Sequence, residues 1–318
     1  MCSMRLSAGK LIAGVFATSL ALSCVHAPAA LAHTLTQDES EQTRTVMDLA
    51  YYDGADFDDR RHRLNLVLPA DGAPRATVLW IHGGAWAAGD RSREMTLAQG
   101  LADQGIAVAV MSYRLSPGRW MSERLPDEGI QHPEHIRDVA RAFPWLWNNG
   151  ADHGLDRDAL FVSGYSAGGH LSALLAMDES YLAEQGLDGD SVRGAIPVAG
   201  TYDIENYYEL ILEGLGEDVA VGHVLGVFGP REGHAAASPA SYLDGYDTPT
   251  LIISEGESAI YTQHFEGIVE EHPSNQVIDF VYFSEETHNS LFFQLADADA
   301  PSPARDAMIS FIDQTLRN

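Results

Sequence analysis

The sequence contains almost no cysteine and almost no lysine. Its 318 residues include two cysteines, Cys2 and Cys24, and a single lysine, Lys10. The chain beyond residue 24 therefore has no thiol that could form a disulfide or a thiolate metal site. We expect the fold to depend on a hydrophobic core instead, and a hydrophobic content of 45% in a chain of this length is enough for one.

Positive charge is scarce as well. The chain has 19 Lys and Arg residues against 46 Asp and Glu residues, which gives a net charge of −27 at pH 7. Such a surface repels polyphosphates and anionic lipid headgroups, so we expect neither nucleic acid nor a membrane surface as a partner. We interpret the acidity as a property that keeps the protein soluble. That the protein functions in saline surroundings is a hypothesis.

The N-terminal residues have the pattern of an export signal. Arg5 and Lys10 precede an apolar run of roughly a dozen residues, shorter than the about 20 that a membrane span needs, and a small-residue triplet ends at Ala32. We therefore predict a signal peptide over residues 1–32 and an exported protein, periplasmic or secreted. An imperfect lipobox leaves an alternative in which Cys24 carries a lipid anchor.

Beyond this leader, a linker over residues 33–50 and one domain over residues 51–318 are predicted. Apolar runs such as "ATVLWIHGG" indicate buried strands, and they alternate with runs of helical spacing such as "AGGHLSALLAM". This alternation predicts an α/β fold with a mostly parallel sheet covered by helices on both faces. A helix from about Pro133 is expected to kink or restart at Pro144. Residues 202–246 break the alternation and are predicted to form a small cap or lid.

The stretch "LFVSGYSAGGHLSALLA" places Ser166 between Gly164 and Gly168, after an apolar run and before a helix-forming run. A strand that turns into a helix within one residue crowds the backbone, and glycines on both sides relieve that crowding. The helix then directs its free N-terminal amides towards whatever the serine attacks. Ser166 is therefore predicted to be a nucleophile.

A serine nucleophile needs a general base, and the base needs a carboxylate to orient it. His288 follows the last predicted strand, "VIDFVYF", where this topology expects the base. The acid is expected after the strand "TPTLIIS", and Glu257 is predicted because it lies beyond the turn at Gly256. Glu255 is the main alternative, followed by Asp247 and Asp279.

The glycines of "WIHGGAW" follow a predicted strand and expose backbone amides. An ester hydrolysed through a tetrahedral intermediate needs such donors for its oxyanion. The amides of Gly83, Gly84 and Ala167 are the predicted oxyanion hole. Neither a metal nor another cofactor is expected, because the acidic runs "DGADFDD" and "LDGD" lack the spacing of a calcium loop and the pair His132 and His135 stands at a helix start.

Four motifs together resemble the α/β-hydrolase esterases around kynurenine formamidase and the hormone-sensitive-lipase group. They are "HGGAW" from His82, "YRLSP" from Tyr113, "HPEHIRDVARAFPWLWNN" from His132 and "GYSAGGHLSALL" from Gly164. The resemblance implies the eight-stranded α/β-hydrolase fold, the nucleophile Ser166, the base His288 and the oxyanion hole named above. The formamidase branch has an aspartate before a serine where this chain has Glu257 before Ser258, so a glutamate in the triad is a departure.

We therefore expect an exported serine hydrolase that cleaves small-molecule carboxylic esters of small to medium acyl groups through an acyl-enzyme. An arylformamidase that hydrolyses N-formylkynurenine is the nearest alternative, although the leader favours an exported esterase. A binding module without catalysis on the same fold is the alternative from another class. Such a module would be free to lose the serine or the histidine, whereas this chain keeps both.

Overall fold

The computed structural model describes residues 43–318, apart from the side chains of residues 274 and 275. The predicted signal peptide over residues 1–32 and the lipid-anchor alternative at Cys24 lie outside the described residues.

An eight-stranded sheet forms the centre of the described chain. Its strands have the order β1-β2-β4-β3-β5-β6-β7-β8; β2 is antiparallel to both β1 and β4, and every other neighbouring pair is parallel. This agrees with the predicted mostly parallel sheet. The strands are β1 Arg44–Ala50, β2 Arg63–Leu68, β3 Ala76–Ile81, β4 Ile106–Met111, β5 Leu160–Tyr165, β6 Gly194–Val198, β7 Thr250–Glu255 and β8 Ile278–Phe283.

Seven helices of eight or more residues connect or cover these strands in the described part. They are α1 Met95–Ala102, α2 Glu134–Asn149, α3 Ala167–Met177, α4 Ile204–Leu215, α5 Ala259–Glu270, α6 His288–Ala296 and α7 Pro303–Thr315. Shorter α-helical segments are Ser180–Ala183, Glu217–Val219 and Gly226–Phe228, and a π-helix spans Ala220–Leu225. The 3-10 turns are Arg91–Glu94, Gly150–His153, Arg157–Ala159, Gly189–Ser191, Arg231–Gly233, Ala235–Ala237, Pro239–Tyr242 and Pro273–Gln276.

Two hydrophobic clusters cover the two faces of the sheet. Every residue of β3 to β7 is buried, as expected for strands packed on both sides. Leu97 of α1 and Met308 of α7 belong to one cluster, and Phe143 of α2 and Leu174 of α3 to the other. Burying a side chain of this size contributes about 1.5–3 kcal/mol, so these faces hold the strand ends that carry the site in fixed positions.

Two local predictions are corrected. The predicted linker 33–50 extended too far, because residues 44–50 form the edge strand β1, whose residues are mostly exposed and therefore lack a buried apolar run. Of the two outcomes expected at Pro144, the restart does not occur, because helix α2 continues through that residue. Burial of Phe143, Pro144 and Leu146 against the sheet compensates for the backbone hydrogen bond that a proline cannot donate.

Residues 202–246 lie between β6 and β7 and contain α4, the π-helix and a series of short turns; their role as a cap or lid stays a prediction. Over residues 43–318, no helix combines the length and the apolar character needed to cross a bilayer.

Candidate active site

Ser166 lies at the junction between β5 and α3. Its backbone has φ 58° and ψ −115°, a conformation that a residue with a side chain rarely adopts. The amide of Ser166 donates a hydrogen bond of 2.8 Å to the carbonyl of Val198 on the neighbouring strand β6. The sheet therefore holds the strained turn in place and presents the serine at the carboxyl end of the parallel strands, as the sequence predicted.

The glycines around Ser166 are required by close backbone approach. A Cβ atom at Gly168 would lie 1.9 Å from the carbonyl oxygen of Ile81, and one at Gly164 would lie 2.5 Å from the carbonyl oxygen of Gly168. Real Cβ atoms do not approach backbone atoms this closely. The G-x-S-x-G pattern is thus explained by the packing of α3 against the ends of β3 and β5.

His288 is the first residue of α6 and is 9% exposed. Its Nδ1 lies 2.9 Å from Oε1 of Glu255, whose side chain is fully buried. With Glu255 ionised, the imidazole carries its proton on Nδ1 and leaves Nε2 free to accept one. The pairing of Nδ1 with a carboxylate is the one that a general base in a serine hydrolase requires.

The prediction that Glu257 orients the imidazole is wrong, because the ring of His288 pairs with Glu255. Strand β7 extends through Glu255 itself, one residue beyond the predicted strand end, and the chain turns at Gly256. Oε2 of Glu257 instead accepts the backbone amide of His288 at 2.7 Å. Two carboxylates therefore hold His288, one through its ring and one through its main chain.

Glu255 is fixed by the turn that follows it. Its Oε1 accepts the amide of Ser258 at 3.0 Å, and its Oε2 accepts the amide of Glu257 at 2.5 Å. These two hydrogen bonds from backbone amides fix the rotamer of the carboxylate. The tight turn after β7 therefore compensates for the extra methylene of a glutamate.

Tyr165 is a site residue that sequence reasoning missed. Its hydroxyl donates to the backbone carbonyl of His288 at 2.5 Å, and the two rings lie 5.1 Å apart between centroids. Tyr165 immediately precedes Ser166, so this contact fixes the histidine segment to the nucleophile turn. Its position directly before the serine in G-x-S-x-G was the available signal, but spacing alone does not assign it a partner.

The predicted oxyanion loop lies against the nucleophile. A Cβ atom at Gly83 would lie 3.2 Å from the Cβ of Ser166, and Gly84 has φ +114°. Nδ1–H of His82 donates to the carbonyl of Gly83 at 2.7 Å. Because a trans peptide directs its N–H opposite to its C=O, this bond points the amide of Gly84 away from His82.

These amides are available to a ligand. Among residues 43–318, no backbone hydrogen bond uses the N–H of Gly83 or Gly84. Ala167 begins α3, and the first amides of a helix have no partner inside the helix. The three predicted donors, Gly83, Gly84 and Ala167, therefore lie in the two segments that border Ser166.

His82 is a second residue that was not assigned a role from the sequence. It is fully buried, and its ring stacks on Tyr113 at 4.3 Å between centroids. Burial lowers the pKa of His82 to about 4, so the ring is neutral at neutral pH. It acts as a rigid hydrogen-bond donor that shapes the oxyanion loop rather than as a proton carrier.

An aromatic wall packs beside the nucleophile helix. Nε1–H of Trp86 donates to Nδ1 of His170 at 3.3 Å, and His170 lies one turn after Ser166. From residues 202–246, Phe228 packs edge-on at 4.9 Å from Trp86. Tyr207 and His223 complete the wall, with 2.8 Å between the tyrosine hydroxyl and Nε2 of the histidine.

The histidine pair considered as a metal site has a structural role. Nε2 of His135 lies 2.8 Å from the hydroxyl of Ser116, and burial lowers the pKa of His135 to about 3. His132 precedes α2 by two residues, and its ring centroid lies 6.2 Å from that of Phe228. Within the described range, no group of three or more His, Cys, Asp or Glu side chains could hold a metal ion.

The sheet order, the strained nucleophile turn and the histidine held by an acid at the end of β7 define an α/β hydrolase. The sequence profile of the BD-FAE family matches residues 64–260, more than half of the chain, and the chain belongs to this family. The predicted resemblance to α/β-hydrolase esterases is thereby confirmed.

Named relatives and a solved structure agree with this assignment. Esterase LipQ of Mycobacterium tuberculosis is 32% identical over 62% of this chain and 46% of its own length. Esterase LipC of the same organism is 35% identical over 42% of this chain and 32% of its own length. The chain thus spans less than half the length of these relatives. Inhibited esterase B from Lactobacillus rhamnosis superimposes with a TM-score of 0.68 and 22% identity, covering 87% of this chain and 88% of that one, which shows a shared fold.

Proposed function

We propose that the protein is a serine hydrolase that cleaves carboxylic esters through an acyl-enzyme. The observation that carries the proposal is the arrangement around Ser166: a strained nucleophile turn, free amides beside it, and a histidine whose Nδ1 is held by the buried Glu255. Each part is needed for acyl transfer, and together they are rarely assembled for another purpose.

In the proposed reaction, Oγ of Ser166 attacks the ester carbonyl while Nε2 of His288 takes the hydroxyl proton. The amides of Gly83, Gly84 and Ala167 stabilise the oxyanion, and Glu255 stabilises the imidazolium. Collapse of the tetrahedral intermediate breaks the bond to the alcohol oxygen, which receives the proton from His288. Water, deprotonated by His288, then attacks the acyl-serine, and the acid leaves as Ser166 regains its proton.

The acyl groups are proposed to be small to medium in size. Trp86 follows the oxyanion loop, and His170 follows Ser166 by one helical turn. The ring of Phe228 packs against both, with centroid distances of 4.9 Å to Trp86 and 5.4 Å to His170. His223 closes the same wall from the π-helix. Displacing one of these rings would break its contacts with the others. A long acyl chain, which would require such a displacement, would therefore fit poorly.

We also propose that the protein is exported, periplasmic or secreted, on the strength of the residues that precede Thr43. Arg5, Lys10 and the cut after Ala32 support a cleaved signal, with a lipid on Cys24 as the alternative. The proposed substrate is a small-molecule ester, with no nucleic-acid partner and no membrane contact beyond that lipid. No metal or other cofactor takes part in the proposed steps.

Steady-state kinetics of wild type and Ser166→Ala test the proposal on p-nitrophenyl esters from acetate to dodecanoate, with N-formylkynurenine as the amide comparison. We expect wild-type kcat/KM to be greatest on the short esters and Ser166→Ala to lose at least about 10³-fold. Undiminished activity in Ser166→Ala would contradict the mechanism. Preference for N-formylkynurenine would assign the site to amide hydrolysis, and inactivity of wild type on every substrate would favour a binding module.

A further inference from the structure

We propose that an arginine-lined cleft next to the oxyanion loop binds a small polyanion that carries carboxylate or phosphate groups. The cleft has a volume of about 790 Å³ and is bounded by residues 58–61, 87–93 and 114–130. Pockets for small molecules fall between about 300 and 1,000 Å³. The arginines that line the cleft are Arg60, Arg61, Arg93, Arg114 and Arg124.

The charge of the lining is opposite to that of the molecule. Five arginines and three carboxylates line the cleft, whereas acidic residues outnumber basic ones 46 to 19 in the whole chain. A concave surface with an excess of one sign of charge attracts ligands of the other sign. Because no aromatic side chain lines the cleft, charge rather than ring stacking is the means of recognition.

Two of the five arginines are part of the framework. Arg114 bonds the buried carboxylate of Asp138 at 2.7 Å and also contacts Glu134 at 3.1 Å. Arg61 donates to the carbonyl of Gly89 at 2.8 Å. These two guanidinium groups form the floor of the cleft, with side chains only 13% and 14% exposed.

The other three arginines remain available to a ligand. Arg60 is 74% exposed, and its contact with Asp90 is a distant one of 4.0 Å. Arg93 and Arg124 are exposed and form no salt bridge with any side chain of the described residues. Three exposed guanidinium groups around one cleft fit a multivalent anion, since each can bind a carboxylate or a phosphate with two parallel hydrogen bonds.

The positive charges of Arg60 and Arg61 also repel each other. The pKa of Arg61 is lowered, first by burial and then by the charge of Arg60. Repulsion of this kind is relieved when an anion binds between the two groups. The lowered pKa of Arg61 therefore agrees with the positions of the arginines that line the cleft.

The cleft is separate from the proposed ester site. Neither Ser166 nor His288 lines it. Its wall is the direct continuation of the oxyanion loop, and a Cβ atom at Gly89 would lie 2.4 Å from both the carbonyl oxygen of Gly83 and Nδ1 of His82. The anion therefore occupies its own site, and ester hydrolysis does not depend on it.

Isothermal titration calorimetry with citrate, with inorganic pyrophosphate and with uncharged glycerol tests the proposal, at an ionic strength kept constant with NaCl. We expect saturable binding of one citrate or one pyrophosphate and none of glycerol. Binding of citrate alone would identify a carboxylate ligand, and binding of pyrophosphate alone a phosphate ligand. The double variant Arg93→Gln/Arg124→Gln should bind at least tenfold more weakly, and the single variant Arg124→Gln should show an intermediate loss.

Arg44→Gln is the matched control, because Arg44 is exposed and pairs with Leu68, at the end of the β1–β2 pair that is farther from residues 58–61. It should bind as wild type does, and all variants should keep p-nitrophenyl acetate hydrolysis within twofold of wild type. Absence of saturable binding of both anions would overturn the proposal, as would equal affinity in the folded Arg124→Gln variant.

Discussion

Glu255, the last residue of β7, and Glu257, two positions later, have separate tasks. Glu255 contacts the ring of His288, whereas Glu257 contacts only its backbone amide. A carboxylate on the ring selects the tautomer and stabilises the imidazolium, and a carboxylate on the amide only fixes the position of the helix end. The catalytic contribution of Glu255 should therefore exceed that of Glu257 by a wide margin.

Exchange of each glutamate for glutamine tests this division. Glu255→Gln offers Nδ1 an amide that can turn its N–H groups towards it, which favours the wrong tautomer, and kcat on p-nitrophenyl acetate should fall by about 10³ to 10⁴. Glu257→Gln keeps an oxygen acceptor for the amide of His288 and should lower kcat by less than tenfold. The assignment is refuted if Glu257→Gln proves to be the more damaging exchange.

At this scale the sequence predicts what depends on topology and misses what depends on a single strand boundary. Ser166 and His288 could be placed because a parallel sheet brings the carboxyl ends of its strands to one edge. The choice between Glu255 and Glu257 depended on whether β7 ends at residue 254 or 255, and such boundaries vary by one or two residues. The hydrogen bond from Tyr165 to His288 and the stacking of His82 on Tyr113 could not be predicted, since they join residues far apart in the chain.

Among the elements, the junction of β5, β3 and α3 determines the geometry of the site. Helix α3 packs so closely that Gly168 touches the carbonyl of Ile81, and Gly83 of the oxyanion loop lies against Ser166. This junction could be predicted, because glycines on both sides of a serine between a buried strand and a helix indicate close backbone packing. The edge strand β1 could not, because its exposed residues carry no apolar pattern.

Gly168→Ala should therefore lower the free energy of unfolding by a few kcal/mol and abolish ester hydrolysis, because the new methyl group would overlap backbone atoms. Gly267→Ala is the control within helix α5, where a Cβ meets nothing within 4 Å. That exchange should stabilise the protein by about 0.5–1 kcal/mol through helix propensity. Urea denaturation of both variants provides the measurement, and a Gly168→Ala protein as stable as wild type would disprove the packing argument.

The molecule as a whole combines a strongly acidic composition with a few charged groups buried in its core. Glu94 is one of these, only 4% exposed and accepting a hydrogen bond of 3.1 Å from Nε1 of Trp80. Burial raises the pKa of Glu94 to about 7 from 4.5. Between these two pH values the folded protein binds more protons than the unfolded chain, so the stability contributed by Glu94 decreases as pH rises.

Glu94→Gln removes this dependence while keeping an acceptor for Trp80. Relative to wild type, the variant should gain stability mainly between about pH 4.5 and pH 7, by about 3 kcal/mol over the whole titration. Chemical denaturation at several pH values in high salt measures the difference and screens surface charge. The exposed Glu271→Gln serves as control and should change stability by less than about 0.5 kcal/mol throughout; a difference between Glu94→Gln and wild type that does not vary with pH would contradict the account.

The central claim is that Ser166 is the nucleophile of a working acyl-transfer site, and covalent labelling tests it most directly. Wild type, Ser166→Ala and Glu255→Gln are each incubated with a fluorophosphonate, and their intact masses are followed over time. The account predicts a single adduct on wild type that maps to Ser166, slow labelling of Glu255→Gln and no adduct on Ser166→Ala. An unlabelled wild-type protein, or an adduct that persists in Ser166→Ala, would contradict it.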